Sequence, residues 1–316
     1  MNRVLISFHG NYKNLLLYGG YAMKKLFILF VFVLSASGLF ATEGGGGSYP
    51  NGSEGFMAGA VPPPGVYYLN YSLYYEADKF CGKSGKSLIP DFKLKVTGDV
   101  FRFLYVSKKQ FLGGYWGTHI LLPVLNMKVR NIAHPMSKQK STGLGDIVID
   151  PFILSWHSKN LHYAAGLDIA VPVGKYDEDE LANIGRNYWT FQPLLGLTYV
   201  SDNGFEYSGK FMYDINSKNT DTKYKSGNEF HFDYTVSKKI DNWTLGLGGY
   251  YYKQITDDKL NGVKTGDGFK GQAFAVGPQI KYDFKKISFI LKYQIESDVK
   301  YKPEGDKIWF KLICPL

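Results

Sequence analysis

The stretch Gly227–Lys238 reads GNEFHFDYTVSK. In an extended chain, successive side chains point to opposite faces. Phe230, Phe232, Tyr234 and Val236 then fall on one side, and Glu229, His231, Asp233 and Thr235 on the other. One face is apolar, and the other suits a wet interior. Similar segments run from Val66 to the C-terminus. In VYYLNYSLYYEA, the apolar face is Tyr67, Leu69, Tyr71, Leu73 and Tyr75. In LHYAAGLDIAV, Leu161, Tyr163, Leu167 and Ile169 oppose His162 and Asp168. In EYSGKFMYDIN, Tyr207, Phe211 and Tyr213 oppose Glu206, Lys210 and Asp214. In KISFILKYQIE, Ile287, Phe289 and Leu291 oppose Lys292, Gln294 and Glu296.

About twelve such segments are separated by Gly, Asn/Asp or charged turns. They fall near 66–76, 94–106, 116–129, 145–157, 160–171, 189–200, 206–216, 228–238, 243–253, 269–283, 286–296 and 307–314. Two, 94–106 and 145–157, alternate poorly. Phe101 and Phe103 compete with Val100 and Leu104 for the outer face. The chain has 316 residues, with 36 Gly, 25 Tyr and 22 Phe, and only 21% are charged. A tilted strand needs about 9–11 residues to cross the hydrocarbon. In lipid every backbone group must be paired, so the sheet must close. The expectation is an all-β fold, a transmembrane antiparallel barrel of about twelve strands, with a range of about ten to fourteen. A secreted soluble β-protein would alternate too, but these segments are long and rich in aromatics.

The front of the chain reads separately. MKKLFILFVFVLSASGLFA, residues 23–41, has a basic start, a short apolar core and small residues after it. It reads as a signal peptide cleaved near Ala41. Residues 1–22 precede a complete signal, and Met23 reads as the true start. Removing residues 1–41 takes away four basic residues and no acidic one, so the charge falls from +9 to +5. Residues 42–65 are rich in Gly, Ser and Pro, and suit a periplasmic leader or a plug folded inside a barrel. Residues 66–316 form the barrel. Cys81 and Cys314 could pair or stay free.

Interface positions are expected at Tyr67, Tyr75, Tyr188, Trp189 and Tyr251, where aromatic girdles meet headgroups. The lumen should receive Glu206, Lys210, Asp214, His231, Asp233, Lys281, Lys292 and Glu296. Asp146 and Asp150 share one side of their strand and are constriction candidates. His162 and Asp168 join them. No metal motif is present, and no cofactor is expected. Catalysis would need a serine activated by a histidine. Ser226 precedes His231 and Asp233, but the GxSxG elbow is absent. The chain is therefore read as a non-enzyme.

Several motifs in order carry a resemblance. They are Gly143-Leu144-Gly145-Asp146, Asp150-Pro151, Trp156-His157, Pro172-Val173-Gly174-Lys175-Tyr176 and Gly185-Arg186-Asn187-Tyr188-Trp189. Asn219-Thr220 and Tyr224-Lys225-Ser226-Gly227 follow. The chain resembles the family of transporters assigned to the MetA pathway of phenol degradation, related to channels for hydrophobic compounds. The resemblance implies the outer membrane of a Gram-negative bacterium. It implies a porin-like role, passive passage of small hydrophobic or aromatic solutes. Outer-membrane lipids and the barrel-assembly machinery would be its partners, with no nucleic acid. The alternatives are an outer-membrane lipid or ester hydrolase and a non-conducting structural barrel. One departure is the end of the chain, ICPL, with Phe310 six residues from the terminus.

Overall fold

The computed structural model describes residues 42–316. The readings of residues 1–22 and 23–41 lie outside the described residues. The chain closes into an antiparallel barrel of twelve walls. β1 (Gly65–Phe80), β2 (Lys93–Phe111) and β3 (Gly114–Arg130) pair in sequence order. The fourth wall is broken into β4 (Lys138–Leu144) and β5 (Ile147–His157), both paired with β3. β6 (Leu161–Val171), β7 (Thr190–Val200) and β8 (Phe205–Asn216) follow. β9 (Tyr224–Lys225) belongs to a small separate sheet with β12 (Lys259–Leu260) and β13 (Val263–Lys264). β10 (Glu229–Ile240), β11 (Trp243–Gln254), β14 (Gln272–Phe284), β15 (Ile287–Lys300) and β16 (Pro303–Pro315) complete the wall. β16 pairs with β1, and this seam leaves no free edge.

Each expected segment lies on one wall. The extension 138–144 and the three short loop strands were missed. Five turns at one end are short, such as Leu112-Gly113, where both φ angles are positive (51° and 74°) as a type I′ hairpin requires. At the other end five of the six connections are longer, and the β15–β16 turn at 301–302 is short. By the usual pattern, short turns face the periplasm and long loops face outward. On most walls the apolar face turns out, with Leu245, Leu247, Leu291 and Ile295 all about half exposed. That is a lipid-facing surface rather than a core.

β1 reverses the expected sense. Leu69, Tyr71 and Tyr75 are buried inside, and Tyr67 and Leu73 pack on the cluster that holds Leu69 and Tyr71. That cluster joins Val100, Leu104, Val106, Ile153, Ala164 and Trp309. Outside, Asp99 instead accepts bonds from Ser72 (2.5 Å) and Asn70 (3.3 Å). The cause is the leader, which gives the aromatic face something to pack on. Val61 joins the cluster, and Tyr71 Oη donates to Glu54 (2.8 Å). Val100 and Leu104 also point inward, and Phe103 points out. Tyr75 is therefore not an interface residue. Its hydroxyl donates to Glu296 at 2.9 Å. Tyr188 is likewise buried rather than at the interface. Trp189 is exposed and stacks on Phe191, and Tyr251 lies tilted against Phe232. Cys81 and Cys314 are both free, at opposite ends of β1.

Candidate functional site

Residues 42–64 run along the inside of the barrel. Thr42 and Glu43 bond the long-loop residues Asp258 and Ser226, both at about the outer end. Met57 N donates to Glu206 (2.6 Å) and Gly59 N to Thr198 (2.9 Å), close to the short turns. The leader thus descends the full lumen before β1 begins.

Its middle is held by opposed charges. The Asp233 carboxylate on β10 accepts Tyr49 Oη (2.8 Å), Gly52 N (2.8 Å) and Glu54 N (2.9 Å). Lys292 on β15 donates to the carbonyls of Gly52 (2.5 Å), Ser53 (2.6 Å) and Glu54 (3.0 Å). One anion reads the N–H side of this turn and one cation reads its C=O side. Extended leader backbone has few partners of its own, and a buried unpaired amide is costly. These two side chains supply what a sheet would.

Glu54 then reaches sideways to Lys311 (2.5 Å) and Arg102 (2.9 Å). Burial would raise its carboxyl, but Lys311, with Arg102 and Lys210, holds it well below the usual range. Stability from this group is therefore present above its ordinary value of 4.5 and is lost only as pH falls through the depressed folded value. An infrared difference titration of wild type against Glu54→Gln should show Glu54 still ionised at pH 4.5, its ordinary midpoint. Half-protonation at that pH would mean the three cations do not act on it.

Beyond Arg102 lies a second group. Arg102 Nη2 is 2.9 Å from His119 Nδ1, and Lys210 Nζ is 3.3 Å from Asp168 Oδ2. His119 Nε2 faces Asp168 Oδ1 at 2.9 Å, out of line for a good hydrogen bond, and Asp150 Oδ2 has no partner. Among the described residues, His119, Asp150 and Asp168 are the set with metal-ligand spacing. The chemistry argues against a cation there. Arg102 can only donate, so Nδ1 accepts and Nε2 keeps the proton. A protonated nitrogen is not a ligand, and Arg102 and Lys210 already supply positive charge.

The other expected lumen residues are dispersed. Asp214 lies 3.1 Å from His231 and accepts Gln192 Nε2 (2.6 Å). Glu296 pairs with Lys307 (3.1 Å). Asp146 sits at the β4–β5 break, accepting Gly174 N (2.9 Å) and Arg186 N (2.7 Å), and so pins the loop after β6 to the wall. His162 contacts His157 near the short turns, and Lys281 pairs with Asp283 (3.2 Å). These last three do not join the leader's seat. Ser226 Oγ accepts Glu43 N, and among the described residues no hydrogen bond joins Ser226 to His231. The hydrolase arrangement is not assembled.

Arg102, His119, Lys311, Tyr49 and Glu54 were not nominated from sequence. Lys311 carried a signal, since it alternates with Phe310 and Leu312. Glu54 carried none, because the leader has no period.

Beside the leader is a small space of about 40 Å³, room for a few water molecules. Val100, Leu121, Val148 and Ala170 line it, interleaved with Arg102, Asp168, Gln192 and Lys210. Backbone meets backbone near its lower end. A Cβ on Gly59 would lie 2.5 Å from Leu197 backbone, and one on Gly196 would lie 2.8 Å from Ala58 O. Gly196→Val should push the leader off β7 while the barrel keeps its heat-shifted mobility. Unchanged protease resistance at residues 57–60 would contradict this contact.

A closed barrel with a lipid-facing outer surface and a polar, chain-filled lumen is the architecture of an outer-membrane channel. The chain belongs to the family described as "Putative MetA-pathway of phenol degradation", whose model matches residues 77–312. Its fold is similar to that of an outer-membrane channel from Pseudomonas putida F1, with a TM-score of 0.74 at 15% identity, over 83% of this chain and 98% of that one. The β-domain of a Bordetella autotransporter (TM-score 0.46, 9% identity, 80% and 99% covered) and a Pseudomonas aeruginosa FadL homologue (0.39, 10%, 88% and 95%) are more distant. No curated protein matches the sequence.

Proposed function

We propose that this barrel passes small molecules that carry an apolar ring or chain and one hydrogen-bonding group, with the leader as its movable constriction. The observation that supports this most is the mixed lining of the space beside the leader. Aliphatic side chains alternate there with Arg102, Gln192 and Lys210. A strongly charged solute would compete with pairs that are already satisfied, such as Arg102–Glu54 and Lys210–Asp168. A neutral solute with one polar group exchanges its hydration for contacts without breaking a pair. At about 40 Å³ the space is too small for such a solute, so the leader must shift. Nothing in this passage needs a cofactor or a chemical step.

The test compares uptake of radiolabelled phenol with that of a sugar of similar size, in cells with and without the protein. Faster phenol uptake with little change for the sugar is expected. Equal acceleration of both would indicate a general pore, and acceleration of neither would favour a structural barrel.

A further inference from the structure

Thr42 is fully buried at the long-loop end. Its backbone nitrogen lies 3.1 Å from Asp258 Oδ2. Asp258 is fully buried as well, and Oδ2 also accepts the Tyr224 hydroxyl at 2.7 Å. Oδ1 accepts Gly227 N at 2.6 Å and Gln254 Nε2 at 2.8 Å. Four donors converge, and all are neutral. The neighbouring Asp257 takes Lys264 and Lys270, each at 3.3 Å. Among the described residues, no lysine, arginine or histidine pairs with Asp258. A buried carboxylate without a cation is poorly compensated. Burial pushes its carboxyl up to about 6 despite the four donors.

A second observation concerns Thr42 itself. Its φ is 55°, a left-handed conformation that a β-branched residue rarely adopts. The torsion φ involves the preceding carbonyl carbon, so a chain that begins at Thr42 has no such torsion. Both features change if Thr42 is the first residue. Hydrolysis of the Ala41–Thr42 amide by a signal peptidase adds water across the bond. The hydroxyl goes to the Ala41 carbonyl and a hydrogen to the Thr42 nitrogen. That amine takes a further proton from solvent at neutral pH. The nitrogen then carries a positive charge within 3.1 Å of the carboxylate, and no preceding carbonyl remains to strain it.

We propose that cleavage after Ala41 creates the Thr42 ammonium group and that the Asp258 pocket is its receptor, so that processing latches the tip of the leader to the outer loops. The pocket is built for an amine at a chain end. Tyr224, Gly227 and Gln254 hold the carboxylate in place, and Thr42 alone brings charge.

The intact mass of the purified outer-membrane protein should correspond to a chain starting at Thr42. A start at any other residue overturns the proposal. The reactivity of that terminal amine is then followed at pH 7 with an amine-selective reagent, reading the N-terminal peptide by mass. In assembled Asp258→Asn, labelling should be roughly tenfold faster than in wild type, because a buried ion pair has been broken. A second variant carries one extra Ala after Ala41, with cleavage leaving that Ala first. It moves the ammonium away without touching the pocket, and should also label faster. Equal rates in wild type and in whichever variant assembles would overturn the proposal. None of these readouts involves conduction, so a barrel that passes no solute would give the same answer.

Discussion

Deleting residues 42–60 is expected to raise single-channel conductance roughly tenfold, since a twelve-stranded barrel is wide enough to hold a channel when its interior is not filled by chain. With the leader in place, the space beside it is about 40 Å³. Its carbonyls and amides occupy Lys292 and Asp233, and its Glu54 occupies Arg102 and Lys311. Deletion frees all four for water and ions. It also leaves Arg102 and Lys311 without Glu54, which weakens assembly. A lock avoids that difficulty. The Ser48 hydroxyl of the leader and the Thr190 hydroxyl of β7 lie 2.7 Å apart. Ser48→Cys with Thr190→Cys should therefore hold the leader when oxidised and release it when reduced. Conductance that is the same with and without the leader, and the same oxidised and reduced, would rule out the leader as the constriction.

Lys292→Met should be the most destabilising single change in the lumen, by about 3 kcal/mol, because three buried carbonyls lose the charged donor they share. The figure is below the sum of three charge-assisted bonds because they share one ammonium. Guanidinium unfolding in detergent would measure it. Lys281→Met is the control. It removes the same charge on the same face, but its partner is Asp283 near the short turns. That pair is at the barrel's end, and its loss should cost less than about 1 kcal/mol. Equal effects would mean that Lys292 acts only through its charge and not through the leader.

The strands were legible because lipid on one side and a polar lumen on the other impose period two. His231 and Asp233 face inward beside Phe230 and Phe232 facing out, as their spacing implies. Alternation separates two faces, but it does not say which is inside when both carry aromatics. β1 was misassigned for that reason. Tyr68 and Tyr74 on its outer face compete with Tyr71 and Tyr75 on its inner one. The site was legible only in half. Lys210, Asp233 and Lys292 could be placed in the lumen from their own strands. Their partner is a segment without periodicity, and Glu54 meets Lys311 across 257 residues of chain. No local pattern encodes such a pairing. Tyr188 was misread because an aromatic beside Trp189 looks like a girdle, whereas its ring is buried.

The path of the leader also bears on how the barrel is made. Residue 64 joins β1 at the short-turn end, yet Thr42 is bound at the opposite end. If the β1–β16 seam shut first, the leader would have to thread a narrow passage tip first. Its bonds to β8, β10, β15 and β16 favour the other order, in which β1 folds back on its own leader and the later walls wrap around both. Such contacts are distant in sequence and slow to form. The leader then serves as a mandrel, and a damaged one would be seen first as sheets arrested before closure.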